Sequence, residues 1–547
     1  MKNKSILVIF GKNLPRKGKS WVSQFDKVLY PDDLKELISP GSVQDAFKLF
    51  CQLPKFTEID YKGYELWWVH HDDIYFQFCL PYTEYRNLLD YLKNFKEIYL
   101  YHPPFSSLFK YFLEANNCQC VIYKKQRFLP PFGILLQLLL SLAFLVWLKF
   151  TRPKLLLETS DRFSGQDDFD FRYKFIYQEL REKKIPFVEF IRSLESWKTV
   201  LRHAWRRKRP VIYSTAIIDT LHFLAGCFNK IKFSADGDAN HNFWFSVSSH
   251  YLRNIKGTVW SIGVMKMIWQ WVGVKSAIVP AAVNRSFHEV LACKLLGIKI
   301  VGIQHGAAPK YYFISDFMPG FNGTKMLSVD KYGLWSDWWR EYYLKNSNAY
   351  GPEQLYVSGH MRPLEVAEVA PLGRGATSGG PLKVLFISEG LAYPPEIMPY
   401  LLVLLNAKEF NLCIKFRPYK DAFEIWLKEN QPLVYQELKK EIKIFRGIME
   451  EAISQCDAVV GSHSTAVLEA LLRLKPFVFF RTKKWGDYFD IKPLGGCFFA
   501  ENPVELINCL KNSREITKEY LKQLRGHFFG DPNKNGAKWV VQEALKI

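Results

Sequence analysis

The residues best suited to chemistry lie in the segment 458–470, where an apolar run is followed by Ser462, Ser464 and Thr465. Hydroxyl side chains of this kind cap helices, whose first backbone N–H groups have no partner within the helix. Those N–H groups and the positive end of the helix dipole together favour a bound anion. Glu469 follows about one turn later, within reach of a ribose hydroxyl. The segment therefore predicts a strand, a polar turn and a helix that hold a nucleotide phosphate.

Two cations lie at the end of another predicted strand, Leu412 to Phe416. Lys415 and Arg417 are two residues apart, so we expect both side chains on one face of the strand. In open parallel sheets, ligands bind beyond the carboxyl ends of the strands. The pair is predicted to neutralise a leaving phosphate, with arginine able to bind it in bidentate fashion. The alternative is a charge pair at a strand end in solvent.

Two further turns follow predicted strands and contain polar residues. Ser388 and Glu389 follow the strand at 384–387, in a turn that either approaches a phosphate or sugar or is only a turn. His305 follows the strand at 299–303 and is a candidate general base or phosphate-facing donor, with a structural histidine as the alternative. The nucleotide site is predicted to comprise Ser388, Glu389, Gly461, Ser462, His463, Ser464, Thr465 and Glu469. The other side of the same cleft is predicted to comprise Gln304, Gly306, Asn284 and Arg285.

The elements that must position these residues alternate between strand-like and helix-like patterns, which predicts an α/β fold with parallel, doubly wound sheets. In the first part of the chain, Glu65 to Val69 is predicted as a strand, and a terminal helix is expected near 514–525. The Asp72–Asp73 and Asp167–Asp168 pairs are predicted to be solvated turns. The predicted organisation is an N-terminal α/β region at 1–127, a hydrophobic segment at 128–150, an α/β domain at 151–370, a linker at 371–382 and a second α/β domain at 383–547.

The hydrophobic segment contains no charged residue from Phe128 to Leu148. A helix of this length would extend about 31 Å, close to the thickness of a bilayer core. Basic residues lie on both sides of it, so the charge pattern indicates no orientation. Three arrangements remain open: a helix embedded in one face of a membrane, a true span, and a core helix of a soluble protein. The basic and aromatic segment 197–209 suits an anionic headgroup surface or is a solvated helix face.

Composition excludes several classes of protein. Hydrophobic residues make up 48% of the 547 residues, which is incompatible with a mainly disordered chain. The net charge of +20 favours a polyanionic neighbour, but no nucleic-acid-binding motif is present. The ten cysteines form no zinc or disulfide pattern, which indicates a reducing, cytosolic setting. The stretch from Gly11 to Ser20 is no phosphate loop, because six residues rather than four separate its glycines.

The order of these motifs resembles that of GT-B glycosyltransferases. The Q-H-G turn at 304–306, the K-x-R-P strand end at 415–418 and the G-S-x-S-T-x-x-x-E block from Gly461 to Glu469 are similar to those of bacterial surface-polysaccharide transferases. The nearest parallels are capsule-type transferases that use CMP-linked acidic sugars and poly-glycerophosphate transferases. The resemblance covers about residues 270–510 and does not include the hydrophobic segment.

The resemblance implies two facing Rossmann-like domains, with the hydrophobic membrane-associating helix inserted in the N-terminal half. It implies that the predicted nucleotide site is the donor side and that the other side of the cleft, with Gln304 and Gly306, is the acceptor side. It also implies that Ser464 and Thr465 hold the donor phosphate, that Glu469 binds the ribose and that His305 faces the reacting centre. Lys415 and Arg417 would stabilise the departing nucleotide. His463 stands where the family often has a small residue, and Arg417-Pro418 replaces its usual His-Pro, so the nucleotide is left open among CMP, UDP and GDP.

The sequence therefore predicts a membrane-associated glycosyltransferase at the cytoplasmic face of a membrane, working on an anionic surface. Its substrates would be a nucleotide-sugar donor and a cell-surface glycan or lipid-linked acceptor, with no nucleic-acid partner. No D-x-D motif is present, so no obligatory metal or other cofactor is expected. The alternatives are an enzyme like the nucleotide-sugar 2-epimerases and a non-catalytic membrane-bound scaffold.

Overall fold

The computed structural model describes most of the chain. The described residues are 3–11, 19–52, 59–123, 131–160, 169–193, 195–207, 209–227, 239–280, 287–307, 328–362, 364, 380–389, 393–417, 421–485 and 498–546. Several predicted features lie outside them, namely Asn284, Arg285, the Asp167–Asp168 pair, residues 12–18 of the rejected phosphate loop and most of the predicted linker.

The first sheet lies within residues 3–123 and has four parallel strands in the order β2-β1-β5-β6. A short antiparallel hairpin of β3 and β4 stands apart from it. The strands are β1 (Asn3–Ile9), β2 (Lys27–Leu29), β3 (Asp60–Tyr61), β4 (Tyr64–Glu65), β5 (Phe95–Tyr101) and β6 (Gln119–Tyr123).

The strand predicted from Glu65 to Val69 is wrong beyond its first residue. Trp67–Ile74 is an α-helix in which almost every side chain is buried, so the apolar run lacks the alternation that separates strands from helices. Asp72 lies in this helix and is buried, so the predicted solvated turn at Asp72–Asp73 is also wrong. A helix buried on every side has no amphipathic pattern, so it cannot be recognised from periodicity alone.

The second sheet has seven parallel strands in the order β13-β12-β11-β10-β7-β8-β9. The runs are mostly apolar and largely buried, as expected for strands covered on both faces. The strands are β7 (Leu155–Ser160), β8 (Phe187–Arg192), β9 (Val211–Tyr213), β10 (Ser276–Pro280), β11 (Lys299–Ile303), β12 (Lys331–Leu334) and β13 (Leu355–Val357).

The third sheet has six parallel strands in the order β16-β15-β14-β17-β18-β19. The strands are β14 (Leu382–Ile387), β15 (Phe410–Lys415), β16 (Lys443–Phe445), β17 (Ala458–Gly461), β18 (Phe477–Phe480) and β19 (Phe499–Ala500). The prediction of a mixed α/β fold with parallel, doubly wound sheets is confirmed.

Helices connect the strands and cover the sheets. Those of the first 123 residues are Lys19–Val22, Leu34–Leu37, Val43–Cys51, Trp67–Ile74, Leu80–Leu92 and Ser106–Ala115. Those around the second sheet are Pro131–Thr151, Lys174–Glu182, Trp197–Arg207, Ser214–Cys227, Ala239–Val272, Phe287–Lys294 and Asp337–Asn346. Those that follow β14 are Pro394–Asn406, Ala422–Asn430, Pro432–Glu441, Met449–Ser454, Thr465–Leu468, Pro503–Asn512, Lys518–Phe529 and Gly536–Leu545. The helix expected near 514–525 is thus Lys518–Phe529.

The last helix, Gly536–Leu545, returns to the second sheet. Its buried side chains, including Val540, share a core with Leu155 and Ile303 of that sheet. Lys331 on β12 forms an ion pair of 2.7 Å with Glu543 on the helix. The C-terminal end of the predicted segment 383–547 therefore packs on the second sheet. The apolar side of this helix covers the face formed by β7, β10 and β11.

The helix Pro131–Thr151 corresponds to the predicted hydrophobic segment. In the part of the chain that the structure describes, Phe132–Thr151 is the one stretch long and apolar enough to cross a membrane by length and composition. Its mean hydropathy is 2.1, and 22% of it is buried. The helix lies along β9, the edge strand of the second sheet, where the Ser141 hydroxyl accepts a hydrogen bond of 3.0 Å from the Tyr213 backbone N–H.

Candidate functional site

The candidate site lies at the carboxyl ends of the central strands of the third sheet. From β14 the chain proceeds outward through β15 and β16, and it then crosses back to β17 on the other side of β14. The strand order therefore reverses between β14 and β17. In open α/β sheets, a crevice for ligands forms outside the carboxyl ends at such a reversal.

Glu389 follows β14 at this reversal and is buried. Burial raises the pKa of its carboxyl group to about 8, although the Arg417 charge and the backbone N–H groups of Ser464 and His463 act in the opposite direction. Its carboxyl group is thus mainly protonated at neutral pH. A neutral carboxylic acid can donate a hydrogen bond to an anion without charge repulsion.

His463 follows β17 on the other side of the reversal, with its Nε2 atom 3.8 Å from a carboxyl oxygen of Glu389. Its ring stacks on Trp485 with 3.9 Å between ring centroids, and its Nδ1 atom shares a hydrogen bond of 2.7 Å with the Ser462 hydroxyl. Burial, followed by the charges of Arg417 and Lys484, lowers the pKa of His463 well below its usual value. The imidazole is therefore neutral and rigidly held.

Gly461 allows these groups to approach one another. A Cβ atom at this position would lie 2.6 Å from a methyl group of Val467 and 3.5 Å from a carboxyl oxygen of Glu389. Any larger residue would therefore collide with Val467 of the helix that follows β17. The glycine of the predicted motif is thus required for close packing.

Lys415 is the last residue of the neighbouring strand β15, and Arg417 lies two residues further on in a different environment. Lys415 is buried, donates a hydrogen bond of 2.9 Å to the Phe416 carbonyl oxygen, and has its pKa lowered by burial. Arg417 is exposed, and its charge lowers the pKa of both Glu389 and His463. Arg417 therefore acts on the crevice, while Lys415 supplies a positive charge beneath it.

Asp421 organises these turns, and the sequence analysis missed it. The Ser388 hydroxyl donates to both of its carboxylate oxygens, at 2.8 and 2.9 Å, and the Arg417 backbone N–H donates to one of them at 2.9 Å. Asp421 also caps the next helix by accepting from the Glu424 N–H at 2.9 Å. The spacing Asp-x-x-Glu at 421–424 is the sequence signal that could have identified it. The Ser388 hydroxyl is accordingly held by Asp421.

The helix that opens after β17 is shorter than the sequence pattern predicts. The Ser464 hydroxyl caps it by accepting from the Ala466 N–H at 3.3 Å, but the α-helix comprises only Thr465–Leu468. A 3₁₀-helix, Glu469–Arg473, continues it. The dipole of so short an α-helix is small, so it would contribute little to the predicted binding of an anion.

Glu469 begins the 3₁₀-helix and is partly buried. Burial raises its pKa, whereas the charges of Arg362 and Lys415 lower it. Arg362 also forms an ion pair of 2.8 Å with Glu450 on the helix Met449–Ser454. Glu469 therefore lies among cations from both the third sheet and the segment that follows β13.

The Q-H-G turn after β11 meets the start of the helix Thr465–Leu468. The Ala307 N–H donates a hydrogen bond of 2.9 Å to the Thr465 hydroxyl. A Cβ atom at Gly306 would lie 3.1 Å from the same oxygen. His305 is partly buried in this turn. The structure thus brings the predicted acceptor-side turn and the predicted donor-side motif into direct contact.

Gln304 is buried, and its hydrogen bonds fix the conformation of this turn. Its side-chain oxygen accepts from the Trp335 N–H at 3.1 Å, its backbone oxygen accepts from the Trp335 indole N–H at 2.8 Å, and its amide donates to the Gly306 carbonyl at 3.1 Å. The hydrogen bonds of Gln304 thus fix the position of Gly306 in the turn, and its acceptor-side role stays a prediction.

Among the described residues, no group of three or more His, Cys, Asp or Glu side chains is placed to hold a metal ion. Metal independence stays a prediction.

Comparisons with known proteins give structural similarity only. No protein-family model and no curated protein sequence matches the chain. The UDP-GlcNAc 2-epimerase from Neisseria meningitidis bound to UDP-GlcNAc is 12% identical, with a TM-score of 0.42 over 72% of this chain and 100% of that one. A glycosyltransferase from Rickettsia africae is 11% identical, with a TM-score of 0.41 over 72% and 98% of the two chains. Anabaena HepE in complex with UDP and glucose is 13% identical, with a TM-score of 0.43 over 72% and 100%.

Proposed function

We propose that the chain is a GT-B-type glycosyltransferase that transfers a sugar from a nucleotide-sugar donor to a glycan or lipid-linked acceptor. The observation that carries this proposal is the contact between Ala307 and Thr465, which brings the turn after β11 against the strand-order reversal of the third sheet. In this proposal, the second sheet supplies the acceptor side of the crevice and the third sheet supplies its donor side.

On the donor side, the nucleotide phosphate would lie at the reversal between β14 and β17. Arg417 supplies a fixed positive charge at the rim, and Lys415 supplies a second one below. Glu389, which is mainly protonated at neutral pH, can donate a hydrogen bond to a phosphate oxygen. Glu469, near Arg362 and Lys415, is the proposed ribose ligand.

In the proposed reaction, the oxygen of an acceptor hydroxyl attacks the anomeric carbon of the donor sugar. The bond from that carbon to the phosphate oxygen breaks, and its electron pair leaves with the nucleotide. Lys415 and Arg417 stabilise the charge that develops on the phosphate, usually the largest electrostatic contribution to such transfers. His305, in the turn opposite the donor motif, is the proposed acceptor of the hydroxyl proton.

A nucleotide-sugar 2-epimerase is the second candidate. It is favoured by the pairing of the protonated Glu389 with the neutral His463, 3.8 Å apart, because two such groups can exchange protons with a bound sugar nucleotide without any acceptor. Proton NMR of UDP-GlcNAc incubated with the enzyme alone distinguishes the candidates. A new 2-epimer signal supports the epimerase, whereas an unchanged spectrum with transfer only after addition of an acceptor supports the transferase.

The direct test of the donor site is thermal stabilisation of the purified chain by CMP, CDP, UDP, GDP and their sugars. A ligand at a hundredfold excess over its dissociation constant adds about 2.7 kcal/mol to the unfolding free energy. We expect stabilisation by one nucleotide class and its loss in Glu469→Ala. The matched control is Glu437→Ala, which removes an exposed carboxylate elsewhere in the same part of the chain.

The absence of stabilisation by every nucleotide would refute the donor site and favour the non-catalytic membrane-bound scaffold. A scaffold also tolerates the loss of Glu469 and Lys415, which an enzyme of the proposed type does not. Comparing transfer activity of Lys415→Met with that of the unmodified protein tests this distinction.

A further inference from the structure

The outward face of the helix Pro131–Thr151 is strongly apolar. Large side chains recur along it at intervals of three and four residues, which places them on one side of the helix. Those exposed to solvent are Phe132, Leu135, Leu139, Leu142, Val146, Trp147 and Phe150. We call these seven side chains the apolar face. The helix is about 30 Å long, and monomeric soluble proteins seldom expose an apolar strip of this extent.

The opposite side of the same helix packs against the rest of the protein. The Ser141 hydroxyl accepts from the Tyr213 N–H on β9 at 3.0 Å, and the Trp271 indole N–H donates to the Leu145 carbonyl oxygen at 3.2 Å. At the start of the helix, Phe132 of the apolar face also packs edge-on against Trp197 of the helix Trp197–Arg207, with 5.5 Å between ring centroids. The helix is therefore anchored along its length and lies flat against the edge of the second sheet.

These contacts are incompatible with a membrane-spanning helix. A span would place residues 3–123 and the second sheet on opposite sides of a bilayer. Yet the two parts touch, because His70 is 2.7 Å from the Thr258 hydroxyl and the Tyr82 ring lies 4.5 Å from that of Phe243. Both residues from the first part contact the helix Ala239–Val272, which also packs against Pro131–Thr151. The helix therefore does not cross a bilayer, and any partner of the apolar face must contact it along the side of the helix.

The neighbouring helix Trp197–Arg207 presents a mixed face of cations and apolar groups. Its exposed residues are Lys198, Leu201, Arg202, Trp205 and Arg206, and Trp205 is 87% exposed. Neither this helix nor Pro131–Thr151 contains an acidic residue. Helices that combine basic residues with tryptophan and leucine in this way lie in membrane interfaces.

Cations and aromatic side chains also mark the other end of the apolar face. The Lys149 ammonium group lies 4.3 Å from the Trp271 ring centroid, and Arg152 is exposed just beyond the helix. Met267 and Phe223 add exposed apolar surface on the two adjoining helices. Asp219, one turn before Phe223, is an acidic residue in this region. Burial raises the pKa of its carboxyl group, and the charge of Arg192 lowers it.

We propose that the apolar face and its flanking cations form an in-plane docking surface for an anionic lipid leaflet. The apolar side chains enter the boundary between headgroups and acyl chains, and the cations at both ends contact anionic headgroups. A second copy of the chain is a poorer partner, because two such faces would bring like charges together. The surface does not depend on the proposed transferase activity, although it would suit a lipid-linked acceptor.

The test is flotation of the full-length protein with vesicles of phosphatidylcholine alone or of phosphatidylcholine mixed with phosphatidylglycerol. We expect binding to the anionic vesicles and at least tenfold weaker binding of Leu142→Glu/Val146→Glu. The matched control is Leu433→Glu/Val504→Glu, which places the same charges at residues of similar exposure far from this face. Replacing Lys198, Arg202 and Arg206 by glutamine should weaken binding to anionic vesicles roughly a hundredfold, at about fivefold per cation.

Three results would overturn the proposal: no binding to either vesicle, equal loss in the control variant, or conversion of a dimer to a monomer by the Leu142→Glu/Val146→Glu change without any lipid binding. Epitopes at the two chain ends test the in-plane orientation in sealed inverted membrane vesicles. Both should be cleaved by added protease, and protection of one alone would indicate a span. Nucleotide stabilisation of the Leu142→Glu/Val146→Glu protein is a separate measurement, so failure of docking and failure of the donor site can be told apart.

Discussion

The backbone N–H of Ala307 donates a hydrogen bond of 2.9 Å to the side-chain oxygen of Thr465, across 158 residues of chain. This bond joins the turn after β11 of the second sheet to the helix start after β17 of the third sheet. The Thr465 hydroxyl was expected to contact a phosphate. In the structure it accepts this hydrogen bond and so joins the two turns, which leaves the cations and N–H groups around it as the proposed phosphate ligands.

We predict that Thr465→Val lowers the free energy of unfolding by about 1–3 kcal/mol, because the buried Ala307 N–H loses its acceptor. Thr465→Ser keeps the hydroxyl and should retain most of the stability. Denaturant unfolding measures both. Equal stability of the valine and serine variants would show that the bond contributes nothing to the junction.

The raised pKa of Glu389 predicts a pH dependence of stability. Its carboxyl group has a pKa near 4.5 in the unfolded chain and about 8 in the folded one. The folded state therefore binds the proton more tightly, so the favourable contribution is complete below pH 4.5 and is lost as the pH rises to about 8. We expect the loss to be on the order of a few kcal/mol.

Glu389→Gln should remove this dependence, because the amide stays neutral at every pH. Unfolding free energies at several values between pH 5 and pH 8.5 provide the measurement, with Glu437→Gln at an exposed site as the control. Nucleotide affinity of the unmodified protein should also fall as Glu389 ionises. Parallel pH profiles for the Glu389→Gln and unmodified proteins would contradict the prediction.

Arg417 should affect binding without affecting stability, because its side chain is exposed and its charge acts on the crevice. We predict that Arg417→Ala weakens nucleotide binding at least tenfold, which corresponds to about 1.5 kcal/mol for a lost charge-assisted hydrogen bond. Its melting temperature should be unchanged. Lys383→Ala removes an exposed cation at the opposite end of β14 and is the control; isothermal titration of both variants decides the matter.

Two glycines with positive φ test how closely the end of the helix Lys518–Phe529 packs against the residues that follow β12 of the second sheet. A Cβ atom at Gly530 (φ +78°) would lie 2.1 Å from the Trp335 carbonyl oxygen, whereas Gly273 (φ +86°) has open space around it. Gly273→Ala should cost about 1 kcal/mol through backbone strain alone. Gly530→Ala should cost at least 2–3 kcal/mol more because of the clash. Similar unfolding free energies for the two variants would disprove the close packing.

Sugar transfer, or any turnover of a nucleotide sugar, is predicted to persist in the presence of EDTA. Lys415 and Arg417, rather than a metal ion, would stabilise the negative charge on the leaving phosphate. Activity assays with and without chelator, followed by addition of Mg²⁺ or Mn²⁺, provide the measurement. A strict requirement for the added ion would contradict the proposed roles of the two cations.

Several features of the fold were predictable from the sequence. The strands β11, β14 and β17 were predicted within a residue or two, because each is an unbroken apolar run that ends in small or polar turn residues. The alternation of strands and helices also predicted parallel sheets, and it follows that Glu389, Lys415 and His463 all lie at carboxyl ends of strands. Helices such as Trp67–Ile74 were missed, because burial on every side removes the amphipathic pattern.

The tertiary structure alone decided which of these turns meet and what each side chain binds. Hydrogen bonds from Ser388 to Asp421 and from Ala307 to Thr465, and the stacking of His463 on Trp485, join residues whose sequence separation conceals their proximity. The same holds for the apolar helix, which had three possible arrangements by composition alone. Composition determines how much apolar surface a helix carries, but only the contacts of its inner side determine which surface remains exposed.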